Sequence, residues 1–154
     1  MGLRKMTGRK KVEEEYLEVI YELISEKGQA RVSDIAEKLG ISPASVTEMV
    51  QKLKKSGFVT QERYSPINLT EKGSKIAEIV RRRHDILKAF LQLLGINEDV
   101  AENDACEIEH NVNQETVKRL TSLIEFIQHA PESQEWLKKF ISFHKERILS
   151  GEEF

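Results

Sequence analysis

VSDIAEKLGISPASVTEMVQKLKKSG, residues 32–57, reads as two short helices separated by a glycine turn. In the first, Val32, Ile35, Ala36 and Leu39 recur at helical spacing. Ser33 is placed to cap a helix over Asp34–Leu39, and Asp34 suits that helix's positive N-terminal end. Gly40 ends it as a left-handed cap, and Ile41 is expected to plug the turn. Ser42-Pro43 then opens a second helix, with Ser at the cap and Pro at the first helical position. Val46, Met49, Val50 and Leu53 form its apolar face, which ends at Ser56-Gly57. Ala36 is small enough to let the two helices approach closely.

Working outward, Phe58–Gln61 and Ile67–Leu69 are strand-like runs around the turn-forming Tyr64-Ser65-Pro66. Two helices around a glycine turn, followed by a small hairpin, define a winged helix-turn-helix. Upstream, Val12–Ser25 carries Tyr16, Val19, Ile20 and Leu23 on one helical face and stops before Gly28. Downstream, Thr70 caps a long helix reaching about Leu94, with Gly95 behind it. Asn97 opens a helix to about His110, and Asn113 another to about Gln128. Pro131 interrupts, and Ser133–Leu149 is a final amphipathic helix with Trp136, Phe140, Ile141 and Ile148. The fold class expected is mainly α.

The overall charge of −2 hides an asymmetry. Residues 1–95 hold 18 Lys and Arg against 13 Asp and Glu, whereas residues 96–154 hold 6 against 13. A basic half suits phosphate, and an acidic half suits a different partner. The basic stretch Met1–Lys11 lacks the apolar run of a signal peptide, and no segment has the apolar length of a membrane span. The single cysteine, Cys106, excludes an internal disulfide and fits a reducing cytoplasm. A cytoplasmic location without membrane attachment is expected.

On the second helix of the motif, Pro43, Ala44, Ser45, Thr47, Glu48 and Gln51 fall away from the apolar stripe, toward a major groove. Ser45 and Thr47 can bond phosphates or bases, Ala44 can touch a thymine methyl, and Gln51 can pair with adenine. Ser33, Lys52, Lys54, Lys55 and the hairpin's Arg63 are placed for the DNA backbone, making binding salt-dependent. Glu48 either accepts from a cytosine amino group or repels phosphate.

A second constellation lies in Cys106-Glu107-Ile108-Glu109-His110. Positions 106, 109 and 110 share one helical face, bringing a thiolate, a carboxylate and an imidazole together. That donor set suits a borderline-soft transition metal. Glu15 and Glu18 are also one turn apart on the first helix, and His84 lies midway along the long one. A cation shared by these helices would clamp the two parts of the chain together. Solvated glutamates and a buried filler cysteine are the bland readings of the same residues.

Several stretches together resemble the diphtheria toxin repressor family. They are Glu15-Tyr16-Leu17-Glu18 before Ile20-Tyr21, Ala30 through Ala36, Ser45-Val46-Thr47, Leu69-Thr70-Glu71-Lys72-Gly73, Arg83-His84, and Asn103-Asp104-Ala105-Cys106 through Glu109-His110. The likeness runs through residues 12–128, in order, and is nearest to the short manganese-regulator branch. It implies an N-terminal winged helix-turn-helix DNA-binding domain, residues 1–73, and a helical metal-binding and dimerisation domain, residues 74–154. The connecting helix falls at about 71–94. It also implies a homodimer on a palindromic double-stranded operator, with metal activating repression of metal-uptake genes.

The matching ligands are Glu15, Glu18, His84, Cys106, Glu109 and His110, with Glu102 as an accessory candidate. The chain stops before the SH3-like third domain of the longer iron-responsive branch. It also mixes the two branches. Cys106 replaces the carboxylate usual in manganese regulators. Glu15 replaces the methionine usual in the iron branch, and Lys88 stands where that branch has a carboxylate. Mn(2+) or Fe(2+) is the expected cofactor, with Co(2+) or Zn(2+) binding in vitro. A metal-independent winged-helix regulator of a small ligand is the main alternative. A metalloenzyme using Glu109 as base is another, disfavoured by the absence of HExxH, a nucleophile elbow and a phosphate-binding glycine loop. A helical interaction module with merely solvated charges is a third.

Overall fold

A computed structural model describes residues 2–151, with side chains from Lys10 onward. Met1, residues 152–154 and the side chains of the basic start up to residue 9 lie outside the described residues. The chain forms two compact units that divide between Arg82 and Arg83. Among the described residues no helix is long and apolar enough to cross a membrane.

The first unit begins with α1, Gly2–Lys27. It starts about ten residues earlier than apolar periodicity indicates, because Leu3, Arg4, Lys5 and Met6 favour helix without forming an apolar stripe. Next come α2, Val32–Leu39, and α3, Pro43–Lys55. Because α2 begins at Val32, Ser33 lies inside its first turn and does not cap it. The capping position falls to Arg31, whose side chain makes no cap bond and whose carbonyl accepts from Ile35 N at 3.1 Å. Ser42 does cap α3, accepting from Ser45 N at 3.2 Å. Gly40 adopts φ 65°, and the following Ile41 N–H donates to Ala36 O at 3.1 Å. Ile41 stays 38% exposed, so the turn is closed by this backbone bond and not by an apolar plug.

Leu17, Ile20, Ile35, Val46, Leu53, Val59 and Ile67 form one continuous core, with Ala36 and Ala77 among them. The hairpin is shorter than expected: β1, Val59–Thr60, pairs antiparallel with β2, Asn68–Leu69. Ile67 instead bridges to Ala30, donating N–H to its carbonyl at 2.8 Å. The long helix α4, Glu71–Leu93, follows at once. Thr70 Oγ1 donates to Gly57 O at 2.7 Å and accepts from Gly73 N at 3.1 Å, so one hydroxyl joins the end of α3 to the start of α4. Gly73 abuts the strand so closely that a Cβ there would land on the Phe58 carbonyl oxygen.

The second unit holds the rest of α4, then α5, Glu98–Glu109, α6, Gln114–His129, and α7, Pro131–Leu149. Asn97 and Asn113 cap α5 and α6 as expected, and Pro131 is itself the first residue of α7. Val117, Ile124 and Ile127 on α6 are buried within the protomer. The apolar stripe of α6 is therefore internal core. What α6 and α7 leave exposed is Leu123, Phe126 and Trp136, which line an apolar groove together with Ile127 and Ser133.

Candidate metal centre and DNA-reading surface

His84 is the hub of the second unit. It projects from α4 and is only 1% exposed. Its Nδ1 lies 3.1 Å from Glu109 Oε2 and 3.7 Å from Cys106 Sγ, both on α5. Its Nε2 lies 3.1 Å from Glu102 Oε1, without hydrogen-bond alignment, so this buried nitrogen makes no hydrogen bond. Glu109 is as buried as His84, and its second oxygen stands 3.2 Å from His110 Nε2. α5 thus delivers Glu102, Cys106 and Glu109 at successive turns of one face, which is what brings them to a single imidazole.

The electrostatics follow from that crowding. The Glu109 hydrogen bond, opposed by burial and helped by Glu102, raises the His84 pKa to about 9. Metal-free His84 therefore carries a proton at neutral pH. Lys88, one turn after His84, lies 2.8 Å from Glu102 Oε2 and 3.1 Å from Glu98 Oε1. Its hydrogen bond holds Glu102 below the ordinary carboxylate range.

These donors fit a transition ion. Two atoms each about 2.0–2.3 Å from one tetrahedral ion lie roughly 3.5 Å apart, close to the 3.7 Å between His84 Nδ1 and Cys106 Sγ. Ligand atoms of His84, Glu102 and Cys106 all lie within 4.8 Å of one another. Once His84 gives up its extra proton, the buried Nε2, which makes no hydrogen bond, offers a lone pair that a metal can take.

Of the residues singled out from sequence, the second unit gathers His84, Glu102, Cys106, Glu109 and His110. Glu15 and Glu18 belong to the first unit, one turn apart on α1, Glu15 half-buried and Glu18 buried. Lys88 as a partner of Glu102 was not read from the sequence. Its signal was the four-residue spacing from His84 on a helix.

In the first unit, Ser33, Pro43, Ala44, Ser45, Thr47, Glu48, Gln51, Lys52, Lys55 and Arg63 are all exposed. Glu48 pairs with Lys52 at 2.9 Å, which offsets its repulsion of phosphate. Lys54 is engaged elsewhere, donating to Gln61 O at 2.8 Å and holding the wing against α3. The wing tip adds a residue that sequence reasoning missed. Tyr64 has φ 66° and is 87% exposed, with the Arg63 guanidinium 5.2 Å from its ring centre.

Residues 10–67 match the N-terminal DNA binding domain of the iron dependent repressors, and residues 70–138 match their metal binding and dimerisation domain. The HTH-type transcriptional regulator MntR of Geobacillus thermodenitrificans (strain NG80-2) is 46% identical over 115 residues, covering 75% of this chain and 82% of that protein. A solved structure of the manganese regulator SloR is similar with a TM-score of 0.65 and 32% identity, covering 74% of this chain and 54% of SloR. A manganese-dependent transcriptional repressor solved with manganese gives a TM-score of 0.69 and 28% identity, over 77% of this chain and 55% of the other. The chain thus spans just over half the length of these solved relatives. The two matched domains assign it DNA binding, divalent-metal binding and dimerisation, the parts of a regulator and not of an enzyme. On this evidence the chain belongs to the iron-dependent, or diphtheria toxin, repressor family of metal-dependent transcriptional regulators, in its short MntR-like branch.

Proposed function

We propose that the chain is a repressor of metal-uptake genes in the cytoplasm, with Mn(2+) or Fe(2+) as corepressor. In this reading residues 1–73 bind DNA as one half of a homodimer on a palindromic operator, and residues 74–154 bind metal and dimerise. The observation that carries it is buried His84, with Glu109 and Cys106 at 3.1 and 3.7 Å from a single nitrogen. Cys106, Glu109 and His110 on α5 and His84 on α4 would hold the ion, Glu15 and Glu18 of α1 would complete its shell, and Glu102 is an accessory donor. A bound divalent cation supplies positive charge that offsets the mutual repulsion of these carboxylates. With that repulsion relieved, α1 and the dimerisation helices settle into one arrangement that spaces the two copies of α3 for successive major grooves. Carboxylates and imidazoles favour Mn(2+) and Fe(2+), while the Cys106 thiolate pulls preference toward softer ions.

The exposed face of α3 supports the reading of bases by Ala44, Ser45, Thr47, Glu48 and Gln51. Pro43 would face the groove beside them, and Ser33, Lys52, Lys55 and Arg63 would meet the backbone. The test is operator-binding titration with Mn(2+), Fe(2+), Co(2+) and Zn(2+) against a chelated control. Metal should tighten binding by at least 100-fold in the native protein, and by less than about threefold in Glu109→Ala and His110→Ala; coupling of this order is ordinary for an allosteric pair. Equal affinity with and without chelator would overturn the proposal and favour a metal-independent regulator.

A further inference from the structure

The tip of the wing is built from an uncommon choice of residue. Glu62–Ser65 closes as a tight turn, with Ser65 N donating to Glu62 O at 3.1 Å. Tyr64, the third residue of that turn, has φ 66°, a left-handed conformation that glycine or asparagine fills with less strain. Its ring is 87% exposed. A strained residue that gains so little burial in return is explained by what it meets outside the fold. The tip is also braced. Gln61 Nε2 donates to Ser65 O at 3.2 Å across the base of the turn, and Lys54 of α3 donates to Gln61 O at 2.8 Å. The Arg63 guanidinium lies 5.2 Å from the centre of the Tyr64 ring, so the ring holds a cation at the apex of the wing.

We propose that Tyr64 is a positioning residue for DNA shape: it presents Arg63 to the minor groove beside the major groove read by α3, so that the wing favours the narrow groove of A·T base pairs. The proposal rests on the DNA reading above and deepens the backbone contact given there to Arg63. Three arguments carry it. The tip continues the run of positive charge made by Lys52, Lys54 and Lys55 in the last turn of α3, which calls for an anionic partner. Phosphates of the two strands crowd most closely across a narrow minor groove, where the negative potential that attracts arginine is strongest. A guanidinium is weakly hydrated and stacks on aromatic faces, so the Tyr64 ring reduces the freedom that Arg63 loses on entering the groove. Finally, Lys54 ties the wing to α3, so seating α3 in the major groove also sets where the tip falls along the duplex.

The test uses the full chain loaded with Mn(2+) to select duplexes from a random-sequence pool, which should return A·T pairs flanking the core that α3 reads. Replacing the flanking adenines by diaminopurine adds an amine in the minor groove and leaves the major-groove face unchanged; the native chain should then bind about tenfold more weakly. Inosine·cytosine pairs at the same positions change the major-groove face but add no such amine, and should cost less than about twofold. Y64G suits the turn and removes the ring, and R63Q removes the charge; circular dichroism checks the fold of each. In both, the diaminopurine penalty should shrink to less than about twofold, while Y64F, which keeps the ring under the guanidinium, should retain it in full. A native chain indifferent to diaminopurine, or Y64G and R63Q with the full native penalty, overturns the role of the wing tip and leaves metal-dependent DNA reading standing. If the Mn(2+)-loaded chain selects no sequence at all, the DNA reading fails and this proposal with it.

Discussion

At the scale of single residues, His84 decides the chemistry. With a pKa near 9, raised chiefly by Glu109, it is protonated in the metal-free chain at neutral pH. A metal can use its lone pair only after that proton leaves, so loading releases a proton and apparent affinity climbs with pH. Metal titrations at pH 6.5, 7.5 and 8.5 should show roughly tenfold tighter binding per unit, flattening above pH 9; a flat profile would mean that His84 is not protonated or is not a ligand. The same shift has a stability consequence in chelator. A raised pKa contributes stability that is complete below about 6.5 and is lost as pH rises through about 9. The thermal midpoint of the metal-free protein should fall across that window.

At the scale of elements, the joints around the wing matter most. Gly73 sits in the first turn of α4 with the Phe58 carbonyl where a side chain would go, and Leu69 beside it. Gly73→Ala must push α4 off the strand, at a cost of about 1–3 kcal/mol for overpacking a tight joint. Denaturant unfolding should show that loss; an unchanged midpoint would mean that the joint is slack. The caps were legible from sequence because they are local: Ser42, Thr70, Asn97 and Asn113 each bond a backbone N–H within three residues. Ser33 misled for the same reason, since Val32 extends α2 backward past a residue that looks like a cap. Likewise, the one-face spacing of Cys106, Glu109 and His110 was visible, but the partner of that face was not. Nothing local says that Glu109 meets a histidine 25 positions earlier, or that Lys88 takes Glu102.

At the scale of the whole molecule, periodicity told which faces are apolar without telling what covers them. The Val117–Ile124–Ile127 stripe is covered within the protomer, while Leu123, Phe126 and Trp136 remain open. The matched domain dimerises in its family, and we propose this exposed apolar groove as the contact between copies. Phe126→Glu combined with Trp136→Glu should leave helicity intact and shift sedimentation from dimer to monomer at micromolar concentration. A dimer that persists would place the interface on another face. The first unit has its own integrity. Glu22 of α1 holds Lys38 of α2 at 2.9 Å and Arg81 of α4 at 2.6 Å. One acid therefore ties three helices of the first unit together. A single change at Glu22 would untie α2 and α4 from α1 at once, without touching α3.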